Sequence, residues 1–94
     1  MIIIDQELLF EFRCKRKCEK CGKKTDCGLD PHHVFSRGAG RLDIRINLIA
    51  LDRQCHCLVH SGVIKKRDLI DIVSKREGLT PDELTTEIYR LRRL

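Results

Sequence analysis

Ninety-four residues, 41% of them apolar, describe one small domain with a thin core, because a chain this short buries only roughly 60–70% of its unfolded surface. Four aromatics and no Trp leave that core in need of extra anchors, and six cysteines are the natural ones. The leading apolar run, 1–4, is far short of a membrane span or a signal-peptide core, so secreted growth factors, membrane proteins and disordered tails are set aside. A cytoplasmic, reducing setting follows as the expectation, in which cysteines serve as metal ligands more often than as disulfides.

The net charge of +5 is local. Between Phe12 and Cys27, Arg13, Lys15, Arg16, Lys17, Lys20, Lys23 and Lys24 face only Glu19 and Asp26, while the remaining residues balance at twelve of each sign. Such a patch attracts a polyanion, nucleic acid first. A solubilising surface explains it equally well.

In chain order, the opening MIIIDQELLFEF has apolar residues at 2–4, 8–10 and 12, a spacing open to strand or helix. Cys18-Glu-Lys-Cys21-Gly22 reads as a tight thiol turn. Pro31-His32-His33-Val34-Phe35 reads as a short strand, Gly38 and Gly40 open a loop carrying Arg37, Arg41 and Arg45, and Asn47–Leu51 reads as a second strand. From Cys55 the residues suit a short helix closed by Gly62. A further helix is expected over Lys65–Glu77, stopped by Gly78. Thr80-Pro81-Asp82-Glu83 starts a last helix with a capping box and a proline in its first turn. The expected class is α+β.

All four histidines fall in two pairs. His56 and His60, four apart on a helix, project from one face about a turn from each other, a spacing that fits one metal ion. His32 and His33 are adjacent on a strand, where successive side chains diverge, so one can bind a metal while the other stays free.

The stretch HHVFSRGAGRLDIRINLIALDRQCHCLVH resembles the HNH endonuclease family, whose site is the ββα-metal motif. The resemblance covers about residues 18–60. It consists of the histidine pair, a Gly/Arg loop, Asn47-Leu-Ile-Ala-Leu, and Cys55-His56 opening a helix. It implies a small ββα-metal (His-Me finger) core over 1–62 with a zinc-ribbon knuckle, and a helical extension, 63–94, packed on that core. In this likeness His33 matches the general base, His32 and His56 match metal ligands, and His60 matches a second helix ligand of the colicin-like branch. Asn47 matches the residue that braces the loop and aims the base.

The chemistry suits these residue types. Phosphodiester hydrolysis needs a base near neutral pH, which an imidazole supplies, and a cation to neutralise charge on the phosphorane and the departing 3′ oxygen. Three neutral nitrogens favour Mn²⁺, with Co²⁺ and Ni²⁺ close behind, over Mg²⁺. Many such proteins also hold a structural Zn²⁺ between two Cys-x-x-Cys knuckles. Cys18 and Cys21 match the first knuckle and Cys55 half of the second. The position of the remaining thiol is Asp52, so Cys57 is slightly preferred as fourth ligand, with Asp52, Cys14 and Cys27 as alternatives.

The resulting expectation is a metal-dependent endonuclease of phage or mobile-element type that nicks one strand of duplex DNA as a monomer, or cuts both as a homodimer. Lys15, Arg16 and Lys17 would hold phosphates, and Arg37, Arg41 and Arg45 would lie nearer the groove. The alternative is a zinc-ribbon nucleic-acid-binding module without catalysis, which leaves the histidines unexplained.

Overall fold

A computed structural model describes the chain at residues 2–26, 28–35 and 40–94. It is an α+β fold of four helices and one two-stranded antiparallel sheet: α1 (Gln6–Arg13), β1 (Asp30–His33), β2 (Leu48–Leu51), α2 (Arg53–His60), α3 (Lys66–Glu77) and α4 (Pro81–Arg92).

The ambiguous opening divides at Asp5. Ile3 forms a parallel bridge with Leu42, and the Asp5 carboxylate then caps α1 by accepting from the Leu8 amide at 3.0 Å. The helix buries Phe12 completely and leaves Phe10 exposed, so its apolar face is narrow. The knuckle after α1 closes through a Lys17–Lys24 bridge, with Gly22 at φ +78°, a left-handed turn that glycine takes without strain.

In the sheet, Asp30 pairs with Leu51, Pro31 with Ala50, His32 with Ile49 and His33 with Leu48. Pro31 has no amide to donate, and a two-stranded sheet tolerates it because every strand is an edge. All four residues of β2 are buried, packed between α1, α2 and α3. The strands are displaced from the expected spans: β1 ends at His33, although the Val34 amide still reaches the Asn47 carbonyl at 2.9 Å, and Asn47 ends a 3-10 turn (Arg45–Asn47) rather than opening β2. The cause is the Asn47 side chain. Its Oδ1 accepts from the Phe35 amide at 2.8 Å and its Nδ2 donates to the Leu42 carbonyl at 2.9 Å, tying both ends of the intervening loop to one buried amide.

Asp52 caps α2 by accepting from the Cys55 amide at 2.7 Å, which starts that helix two residues earlier than expected. The two C-terminal helices lie where the sequence places them. Gly78 ends α3 in the left-handed region, and Thr80 and Glu83 form the capping box of α4. Leu69, Val73, Leu84 and Ile88 join the same buried cluster as Phe12, Leu48 and Ile49.

One cation ties knuckle, hairpin and α3 together. Arg76 donates to Glu19 at 2.6 Å and to the carbonyls of Arg45 and Leu48 at 2.5 and 3.0 Å. Glu19 accepts in turn from the Ala50 amide at 2.7 Å.

Candidate metal centres and the histidine cleft

The antiparallel hairpin leads straight into α2, so β1 and α2 lie side by side. His32 from β1 and His56 and His60 from one face of α2 converge, with ring centroids 4.7–6.0 Å apart and candidate ligand nitrogens all within 4.8 Å of one another. His56 Nδ1 lies 2.9 Å from Asp30. An ionised carboxylate only accepts, so that bond places the proton on Nδ1 and turns an Nε2 lone pair toward His60.

His56 Nε2 and His60 Nε2 are 3.0 Å apart. Two nitrogens about 2.1 Å from one cation stand roughly 3 Å apart when they subtend a right angle, so this spacing fits a shared divalent ion. Burial, followed by the neighbouring His56, His60 and His33, pushes the His32 imidazole down to about 4, which keeps its lone pair available at neutral pH.

His33 points elsewhere, as strand alternation requires. Its Nε2 lies 2.7 Å from Oδ1 of Asp43, whose side chain is fully buried. Asp43 also receives Arg41 Nε at 3.0 Å and Nη2 at 2.9 Å, and the Asp5 amide at 2.9 Å. Burial works to raise the Asp43 carboxyl, but Arg41, the Asp5 amide and His33 outweigh it and hold it down at about 2. Asp43 is therefore charged throughout the neutral range. His33 nevertheless lines the same cleft as the other three: a cavity of about 500 Å³ is bounded by Pro31, His32, His33, Val34, His56, His60 and Lys66. Lys66 lies 3.9 Å over the Phe35 ring, and burial, then Arg92, lowers its ammonium from the ordinary lysine range.

A second group gathers behind the hairpin. Cys18, Cys21, Cys55 and Asp52 bring three thiols and a carboxylate within 4.8 Å of one another. In a tetrahedral thiolate site with metal–sulfur bonds of about 2.3 Å, ligand atoms stand roughly 3.8 Å apart, so modest contraction would close this set on one ion. Asp52 uses both oxygens. One caps α2, and the other accepts from Cys21 Sγ at 3.1 Å. The Cys55 thiol is pushed up by burial and by the adjoining thiols and carboxylate. At Cys18, burial is opposed by amides of Cys21, Asp52 and Lys20, which bring that thiol down.

Cys57, preferred as the fourth ligand, is exposed and outside the group. The reason is helical geometry: residues two apart on α2 point to different sides, so Cys55 and Cys57 do not face the knuckle together. Cys14 also lies outside the group, and Cys27 lies outside the described residues.

The basic residues separate into two sets. Arg41 is engaged by Asp43, and Arg45 by Glu11 at 2.8 Å and Glu77 at 3.8 Å. Lys15 pairs with Glu19 and lies over the Phe12 ring. Arg16 and Lys17 are exposed and line a shallow cleft with Lys24, Thr25 and Asp26. Arg37 lies outside the described residues. Three groups at the site were not singled out in the sequence: Asp30, Asp43 and Lys66. A carboxylate two residues ahead of a histidine pair is a usable signal for Asp30. Nothing local marks the other two.

No protein-family model, curated protein or solved structure matches this chain. No helix among the described residues is long and apolar enough to cross a membrane.

Proposed function

We propose that the protein is a metal-dependent endonuclease of HNH type that nicks duplex DNA. The observation that carries the reading is the division of labour in one cleft: three imidazoles converge on a point that fits a cation, while the fourth is turned onto a buried carboxylate. A divalent cation held by His32, His56 and His60 would neutralise charge on the phosphorane and the departing oxygen.

The chain's own residues supply the rest. Ionised Asp43 accepts from Nε2 of His33, leaving that ring with a lone pair to take a proton from the attacking water. The water oxygen bonds to phosphorus, the P–O3′ bond breaks, and the departing oxygen takes a proton from solvent. Lys66, which lines the same cleft, would hold the scissile phosphate, and Arg16, Lys17 and Lys24, which line a second cleft, would meet neighbouring phosphates. The motif order around Asn47, which ties the hairpin loop through Phe35 and Leu42, agrees with the ββα-metal architecture. At the knuckle, Zn²⁺ suits the three thiols and one carboxylate.

Conversion of supercoiled plasmid in Mn²⁺, Co²⁺, Ni²⁺ and Mg²⁺ tests the reading. Open circles are expected, with the first three ions each at least about tenfold faster than Mg²⁺ because the ligands are all nitrogen. EDTA should abolish the product. Activity equal or greater in Mg²⁺ would remove the three-histidine ligand set. No conversion in any ion, with plasmid binding retained, would leave a non-catalytic zinc-ribbon module.

A further inference from the structure

Among the described residues, four donor groups meet the buried carboxylate of Asp43. Oδ1 receives His33 Nε2 and Arg41 Nε; Oδ2 receives Arg41 Nη2 and the Asp5 amide. The residues that hold it come from a third part of the chain. Ile3 donates to the Arg41 carbonyl at 2.8 Å and accepts from the Asp43 amide at 2.9 Å, so the segment before α1 straps the end of the loop in place. Asn47 fixes the same loop from the other side, through the Leu42 carbonyl.

We infer that Asp43 is a positioning residue, which fixes the proton of His33 on Nε2 and leaves Nδ1 as the nitrogen that works in the cleft. The kinetic consequence rests on the nuclease reading above; the tautomer does not. An ionised carboxylate with two donors already fixed on it by Arg41 and Asp5 has no proton to offer, so His33 must donate. Held this way, the ring cannot rotate or exchange tautomers to present Nε2 to the cleft, and the carboxylate stabilises the imidazolium that forms once Nδ1 takes a proton. The same logic operates in serine-protease triads, where a buried Asp orients a catalytic His.

Asp43→Asn tests this with almost no change of shape. An NH₂ group at the Oδ2 position would meet two donors that cannot adapt, Arg41 Nη2 and the Asp5 amide. At the Oδ1 position it meets Arg41 Nε and His33, and His33 alone can shift its proton. The amide therefore settles with NH₂ toward His33 and drives the ring proton onto Nδ1.

Long-range ¹H–¹⁵N spectra of the protein as purified, at about pH 9, read the tautomer directly, since four histidines give a spectrum simple enough to assign. The wild type should carry the proton on Nε2 of His33 and Asp43→Asn on Nδ1. Plasmid nicking in Mn²⁺ should fall at least about 100-fold in kcat, with KM within about threefold of wild type. A wild-type His33 protonated on Nδ1 overturns the inference whether or not the variant folds. So does an Asp43→Asn protein that loses activity while keeping the Nε2 proton, which is the mark of a merely structural role, and so does one that inverts the tautomer and still cuts. A wild type that cuts nothing sinks the nuclease reading alone, while the spectra still decide what Asp43 does to His33.

Discussion

With Zn²⁺ in the knuckle as proposed, stripping that ion is expected to unfold the segment from Lys15 to Leu29 and to fray the start of α2. The reason is that, apart from Glu19, which Arg76 and the backbone of Ala50 hold, few contacts secure that segment. From 15 to 29, Cys18 and Leu29 are the buried apolar residues among those described, and the backbone is closed by a few bonds, among them Cys18 to Lys23 and Gly22 to Cys18. Zinc bound to small thiol sites contributes on the order of 10 kcal/mol of apparent free energy, comparable to the whole stability of a domain this size. Asp52 spreads the damage, because the same carboxylate that completes the thiol group caps the helix bearing His56 and His60. Loss of the metal therefore reaches the cleft through α2. Metal analysis should find one zinc per chain. Amide hydrogen exchange after chelation should show protection lost over 15–29 and the first turn of α2, and retained in α3 and α4. A protein purified without zinc and equally protected over 15–29 would contradict this.

His56→Ala is expected to lower Mn²⁺-dependent nicking by about 1,000-fold or more, the combined cost of a lost ligand and a disordered cation. Asp30→Ala should act more gently, with cation affinity reduced by about 10- to 100-fold and recoverable at high Mn²⁺, because it removes only the group that sets the tautomer and angle of His56. The graded pair is informative. If His56 were a packing residue, both variants would lose activity in proportion to stability, and added Mn²⁺ would rescue neither. Titration of Mn²⁺ against initial nicking rate for the two variants separates the cases.

The parts of this molecule governed by near neighbours in sequence are legible in the sequence itself. The helix spacing of His56 and His60, the Cys18–Cys21 turn, the capping box of α4 and the glycine stop of α3 are all interactions within four or five residues. The hairpin was legible in outline, and its bounds moved only because one side chain, Asn47, closes a loop across positions 35 and 42.

What escaped depends on the fold bringing distant residues together. Asp43 reaches His33 across ten positions, in a loop that Ile3 and Asn47 hold at Leu42; Asp30 reaches His56 across twenty-six. The fourth member of the thiol group is a different case. Cys57 looked the better ligand by chemistry, but two residues on from Cys55 it faces away on the helix, and that geometry was already implicit in the sequence. Arg41 and Arg45, expected as groove contacts from their place in a basic loop, pair with Asp43, Glu11 and Glu77, carboxylates that the sequence does not place beside them.

In the proposed mechanism His33 does chemistry in the cleft while its three companions hold the cation. The most direct measurement is the rate of open-circle formation from supercoiled plasmid in saturating Mn²⁺ by wild type and His33→Ala, with Mn²⁺ affinity measured on both. Nicking slower by about 10²- to 10⁴-fold at unchanged affinity is the predicted result. Equal rates, or a loss matched by lost Mn²⁺ binding, would contradict it.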